Sequence, residues 1–224
     1  TAAALPGARA AALDVTDAAA FAALADRVVA ESGRLDLLFN NAGVGLAGEV
    51  RDLTLADWRR VIDVNLWGVI HGVQAAYPHM IRQGGGHLVN IASGAALAPR
   101  PGMAAYAATK AAVVALSTSL RAEAGLHGVR VSAVCPGFIA TNIVGSTTFK
   151  RVDGTALMAK VPLRPLSADD CAAITLRGVA KNRPIIPVSR VVSLDWGIYR
   201  LSPRLSTWLS TWRAKQFAAH RRQD

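Results

Sequence analysis

The chain is poor in several residue classes, and each shortage excludes something. Its 224 residues hold two cysteines, Cys135 and Cys171. Two thiols make no disulfide framework, and no Cys/His spacing suits a metal, so no metal site is expected. Free thiols fit a reducing compartment, and a cytoplasmic location is expected. Aromatics are 6% of the residues, so the core must come from small aliphatic side chains that let helices approach a sheet closely. No apolar run reaches the roughly 18 residues of a membrane-spanning helix, and no signal-peptide pattern is visible. Acids are scarce as well: 15 against 25 Lys and Arg, a net charge of +10. Such a balance suits nucleic acid, a membrane surface or acidic ligands. Its distribution narrows this. Arg200, Arg204, Arg213, Lys215, Arg221 and Arg222 lie in the last 25 residues with one acid, Asp224, so that stretch carries half of the excess.

What remains is 52% hydrophobic and 18% charged, the composition of a globular α/β chain with a sizeable core. Residues 8–13 read as a short strand that ends at Asp14-Val15-Thr16-Asp17, where Thr16 or Asp17 can cap a helix to about Ser32. Leu35–Phe39 is a second strand, apolar on both faces as in a central parallel strand. It stops at Asn40-Asn41-Ala42-Gly43, small residues that let a ligand approach the backbone. Thr54 caps a long amphipathic helix from Leu55 to about Gln83, with Trp58, Val61, Ile62, Leu66, Val69, Ile70 and Val73 as its buried stripe. Asn65 lies beside that stripe, where it faces solvent, bonds a backbone group or holds a water. After Gly84-Gly85-Gly86 comes strand 87–92.

A helix then runs to about Leu126, followed by strand 129–134 and a Pro136-Gly137 turn where a flat ring could dock. Residues 142–166 form a long irregular stretch of the kind that makes a lid or specificity loop. Ser167 to Asp170 cap another helix to about Lys181, and Ile185–Val188 is the last strand. The tail is helical in pattern, with Leu201, Leu205, Trp208, Leu209 and Trp212 on one face. It either packs on its own domain or a partner subunit, or lies on a membrane surface. No nucleic-acid-binding motif is present, and no nucleic-acid partner is expected.

The chemistry gathers in Ser93 to Lys110. Tyr106 and Lys110 are four residues apart, hence one turn apart on one helix face. A phenol is a poor acid near neutral pH, and a neighbouring ammonium lowers its pKa. Tyr106 beside Lys110 could exchange a proton with a substrate oxygen, and Ser93 could hydrogen-bond the same oxygen. That suits interconversion of an alcohol and a carbonyl, provided something else carries the hydride.

Taken together, Asp14, NNAG (40–43), Asn65, Ser93, Tyr106-x-x-x-Lys110 and Pro136-Gly137 resemble the short-chain dehydrogenase/reductase (SDR) family, from about residue 8 to at least 190. The resemblance implies an α/β, Rossmann-like doubly wound parallel sheet with NAD(H) or NADP(H) at its carboxyl edge. It implies that Tyr106 is the general acid/base and that Lys110 lowers its pKa and holds the nicotinamide ribose. Ser93 would position the substrate oxygen, and Asn65 would hold a water relaying protons towards Lys110. Asp14 and Val15 would border the adenine. Asn40, Ala42 and Gly43 would line the cleft, and Pro136, Gly137, Ile139 and Thr141 would pack on the nicotinamide. A homo-oligomer through the helices of Asn65 and Tyr106 is expected.

One departure stands out. The family's opening strand, Gly-rich turn and helix are missing from this sequence, so the expected N-terminal βαβ unit is absent and the NAD/NADP choice cannot be read. Residues 1–199 are expected to form the SDR domain, with an exposed sheet edge, and 200–224 a basic amphipathic tail able to touch a membrane. The natural protein would then be longer, or the chain an inactive fragment. A non-enzymatic binding protein on the same fold is the competing reading. Phe138, Ile139, Val144, Phe149, Leu157, Met158 and Val161 hint at an apolar substrate.

Overall fold

The structure is a computed structural model that describes residues 7–141, 143, 145–154 and 165–219. Its centre is a four-stranded parallel sheet: β1 (Leu37–Asn40), β3 (Gly86–Ile91), β4 (Val129–Cys135) and β6 (Ile185–Pro187), side by side in that order. All four strands therefore end on one edge, where residues 41–43, Ser93 and Pro136-Gly137 follow. Two short parallel strands, β2 (Leu46–Ala47) and β5 (Thr148–Phe149), form a separate ladder.

Helices cover both faces. α1 (Ala18–Ser32), α3 (Gly68–Arg82) and α4 (Ala104–Gly125) lie on one, α5 (Ala168–Ala180) on the other. Alternation along the strands explains the division. Leu88 packs with Val69, Val73, Met80, Val113 and Val131, whereas the next residue, Val89, packs with Val134, Val179 and Ile186. Met80 and Leu88 are fully buried, each such side chain contributing about 1.5–3 kcal/mol. Capping follows the sequence closely. Asp17 accepts from the Ala20 amide, Ser167 from Asp170, and Thr54 with Asp57 forms a reciprocal capping box ahead of α2 (Leu55–Ile62).

Three expectations need correction. Residues 8–13 are not a strand: a strand needs a neighbour for its ladder, and no described strand lies beside them. β1 lies at the edge of the described sheet with Leu37 and Phe39 exposed, the exposed edge expected from the sequence. The long helix is not uniform. α2 passes into a π-helical turn, Asp63–Trp67, before α3, which moves Asn65 to a fully buried position. The tail is two helices, α6 (Arg190–Leu201) and α7 (Pro203–Ala218), broken at Ser202-Pro203 where proline ends the ladder. α7 docks by Ser206, Ser210 and Phe217, while Leu205, Trp208 and Trp212 point outward. Of the alternatives the pattern leaves open, packing on its own domain is the one that Leu205, Trp208 and Trp212 do not follow, while Leu209 is half-buried. Among the described residues no helix is long and apolar enough to cross a membrane.

Candidate active site

Strand β3 ends at Ile91 and delivers Ser93 to the carboxyl edge in an extended conformation (φ −166°, ψ 157°), half-buried. Its Oγ accepts from the Ala95 amide at 3.1 Å. The Gly94 amide donates to the Pro136 carbonyl at 2.7 Å, which fastens the Ser93 segment to the end of β4. α4 begins at Ala104 and places Tyr106 and Lys110 inward on its first turns, both buried. The Lys110 Nζ lies 6.0 Å from the centre of the Tyr106 ring and donates to the Ile91 carbonyl at 2.8 Å. The Ser93 hydroxyl is close enough to the Tyr106 phenol to influence its titration.

The electrostatics differ from expectation in one respect. Burial pushes the Tyr106 pKa up, the neighbouring Ser93 hydroxyl opposes that, and nearby Cys135 adds to it. The net direction is upward, so the expected lowering by Lys110 does not prevail: removing a phenolate from water costs more than the neighbours return. Burial also brings Lys110 down to about 8, against a smaller upward pull from Cys135. Cys135 itself is pushed up to about 12 by burial, so it is an inert thiol beside the cation.

Asn65 is committed to the loop after β1. Its Oδ1 accepts from the Val44 amide at 2.8 Å, its Nδ2 donates to the Val44 carbonyl at 3.0 Å, and Nδ2 meets Thr109 Oγ1 at 3.5 Å. This pins Gly43 against the site. A Cβ on Gly43 would stand 3.2 Å from Asn65 Oδ1 and 3.4 Å from Lys110 Nζ. Ala42 is exposed and Gly43 half-buried.

The structure brings Ser93, Tyr106, Lys110, Asn65, Gly43, Pro136 and Gly137 to one edge. It places other predicted residues differently. The Asn40 side chain points into the fold, not the cleft: its Nδ2 donates to Asn90 Oδ1 at 2.8 Å, and its Oδ1 has no hydrogen-bond partner among the described residues. Alternation decides this, since Asn40 shares a face with Leu38. Ile139 bridges to Leu166 and packs with the Val89–Val134 cluster. Thr141 and Gly137 are exposed. Asp14 accepts from the Thr16 amide and hydroxyl at 2.9 and 2.8 Å, bonds that hold its carboxyl below the ordinary value. The Val15 carbonyl is bonded to His71 Nδ1 at 2.9 Å. Of the apolar residues linked to a substrate, Phe138 is exposed and Phe149 half-buried, while Val144, Leu157, Met158 and Val161 lie outside the described residues.

Sequence reasoning missed the polar chain beneath the site: Asn40 to Asn90, and Asn90 Nδ2 to Ser117 Oγ at 2.9 Å. The signal was present, because Asn90 interrupts an apolar strand and pairs in register with Asn40. It also missed the Ile91 carbonyl as the lysine's acceptor, which no side-chain pattern reveals. Among the described residues no cluster of His, Cys, Asp and Glu could hold a metal.

Known proteins with these features converge on one group. The sequence profile of the short chain dehydrogenase family matches residues 2–151. The probable oxidoreductase EphD of Mycobacterium tuberculosis is 40% identical over 202 residues, which cover 86% of this chain and 34% of that protein. The chain thus spans about a third of the length of that relative. The 3-oxoacyl-acyl-carrier-protein reductase FabG of Staphylococcus aureus is 32% identical over 186 residues, 83% of this chain and 75% of that one. Among solved structures, a short-chain dehydrogenase from Streptomyces avermitilis superposes with a TM-score of 0.82 at 28% identity, over 95% of this chain and 83% of that one. A short-chain dehydrogenase/reductase from Burkholderia phymatum, solved in complex with NAD, superposes at 0.77 with 32% identity, over 86% and 74%.

Proposed function

The chain belongs to the short-chain dehydrogenase family, and from that premise we propose that it is a nicotinamide-dependent oxidoreductase that interconverts a secondary alcohol and a ketone. The observation that carries the reading is the Ser93–Tyr106–Lys110 cluster at the carboxyl edge of a parallel sheet, where ligands of such sheets bind.

The residues fit the cofactor. Gly43 leaves beside Asn65 and Lys110 a space that a Cβ would narrow to 3.2–3.4 Å, and the Pro136-Gly137 turn follows β4, tied to the Ser93 segment through Gly94. Lys110 would hold the ribose, Ala42 and Gly43 would line the cleft, and Asp14 and Val15 would border the adenine, with Pro136, Gly137 and Thr141 near the nicotinamide ring. Asn40 and Ile139 would act from beneath by holding the strand ends. The nicotinamide supplies or accepts the hydride when bound. NAD accompanies one similar structure, and NADP accompanies another, a gluconate 5-dehydrogenase, so neither nucleotide is favoured.

Ser93 hydrogen-bonds the substrate oxygen and orients it toward the Tyr106 hydroxyl. In reduction the phenol gives its proton to that oxygen, and in oxidation it takes the proton back. A raised phenol pKa keeps Tyr106 protonated at neutral pH, the form that reduction requires. Lys110, buried and bonded to Ile91, sets a positive potential beside the phenolate that forms. Because the Asn65 amide is spent on Val44 and Thr109, any water it holds would sit on its main chain. An apolar ketone or alcohol is the favoured substrate class, supported by the exposed Phe138. The Ala-rich outer side of α4, with Ala104, Ala107, Ala108 and Ala111, suits close packing of a second copy.

Calorimetric titration with NADH and NADPH, followed by turnover of a ketone panel, tests the reading. Tyr106→Phe is expected to lower turnover by about 100- to 10,000-fold with nucleotide binding kept. Unchanged turnover in that variant would remove the role of Tyr106. Failure to bind either nucleotide would favour a non-enzymatic role on the same fold.

A further inference from the structure

α7 is held to the protein by its less greasy side. Ser210 Oγ donates to the Pro99 carbonyl at 3.4 Å, Arg213 donates to Asp195 Oδ1 at 3.2 Å, and Phe217 packs over Gly102. Asp195 also accepts from Arg100 at 2.6 Å. These contacts fix the helix in one rotation. Leu205, Trp208 and Trp212, spaced three and four apart, form the opposite face and are 47%, 67% and 58% exposed. Arg204 and Lys215 are exposed, and they lie four residues before and seven after Trp208, on the same side. Neither is in an ion pair among the described residues.

A buried helix would turn its tryptophans in and its serines out. This one does the reverse, and the reversal is enforced by specific bonds. We propose that the outward face of α7 docks on an anionic lipid surface, with Leu205, Trp208 and Trp212 at the headgroup–acyl boundary and Arg204 and Lys215 on the lipid phosphates. This goes beyond the oxidoreductase reading and does not depend on it. Charge argues for this occupant. In a two-fold pairing of two copies the same patch faces itself, which brings the basic residues of both together at a cost. Nucleic acid offers phosphates but no apolar phase for Leu205. An anionic bilayer supplies both, and indole rings favour its interface.

The test is co-sedimentation of the 224-residue chain with vesicles of phosphatidylglycerol mixed with phosphatidylcholine, and with phosphatidylcholine alone. Binding to the mixed vesicles, weakened by salt, is expected. Arg204→Gln and Lys215→Gln should each weaken it about fivefold. Trp208→Ala with Trp212→Ala should weaken it by about tenfold or more and abolish a blue shift of tryptophan emission. All four side chains are exposed, so circular dichroism should be unchanged in every variant. No binding by the unaltered chain overturns the proposal, as does equal binding by the tryptophan variant. A dimer in vesicle-free solution that the same variant dissolves, without vesicle binding, also overturns it and assigns the face to a second copy.

Discussion

Lys110 shows how much a single residue of the site costs the fold. Its ammonium is buried and its pKa is brought down to about 8 from an ordinary 10.5. In the unfolded chain the group stays charged until about pH 10.5. Between 8 and 10.5 the unfolded state therefore binds more protons, and stability rises with pH across that window. Below 8 the folded chain bears the full penalty of the buried charge. Lys110→Met is thus expected to be more stable than the parent at pH 7, by up to about 3 kcal/mol, and to lose most of that advantage by about pH 10. Urea denaturation at the two pH values checks this. A variant less stable at pH 7 would mean that the bond to Ile91 repays the burial. Functional residues that destabilise their own fold are common where charge must be held ready out of water.

At the scale of elements, the register of α3 against β1 depends on a glycine. A Cβ at Gly72 would come within 2.0 Å of Asn40 Oδ1 and 2.9 Å of Phe21. Gly72→Ala should cost about 1–3 kcal/mol in urea denaturation. In an Asn40→Ala background the same change should cost less, because its nearest obstacle is gone; equal costs would mean that Phe21 alone sets the limit. The C-terminal helices are fixed differently, by Asp195 between Arg100 and Arg213. Asp195 is largely buried, so removing it strands two partners rather than trimming a surface pair. Asp195→Ala is expected to raise amide exchange in α7 while leaving β3 and β4 protected. Unchanged exchange in α7 would show that Phe217 and the serines suffice to hold it.

For the molecule as a whole, acid should be the weak point. His87 is buried on β3, with its Nε2 2.8 Å from Ser132 Oγ of β4. Burial, then the charges of Arg130 and Arg121, bring its pKa down to about 4 from 6.5. The unfolded chain takes up a proton at His87 from about 6.5 downward, and the folded chain does not until about 4. Stability therefore falls as pH drops through that window, by up to about 3 kcal/mol from this group. His87→Gln should flatten the decline in urea midpoint between pH 7 and 4.5. An unchanged decline would assign it to carboxylates and the net charge of +10.

Much of this protein was legible in its sequence because the signals are local. Caps at Asp17, Thr54 and Ser167 follow from side chains that reach amides three residues on. Strands β3 and β4 follow from apolar runs, and the Tyr106–Lys110 pair from helical spacing. The family followed from the joint order of Asn40–Gly43, Asn65, Ser93 and Tyr106-x-x-x-Lys110. Tertiary structure decided what depends on distant neighbours. Whether residues 8–13 pair is a matter of which strand stands beside them. Asn40 turns inward because Asn90 waits across the register, and Asn65 bonds Val44 because a π turn carries it there. The direction of the Tyr106 shift is set by burial, which no local spacing encodes. The rotation of α7 was hidden for the same reason: an amphipathic pattern names two faces, and only Pro99, Gly102 and Asp195 determine which one meets the protein.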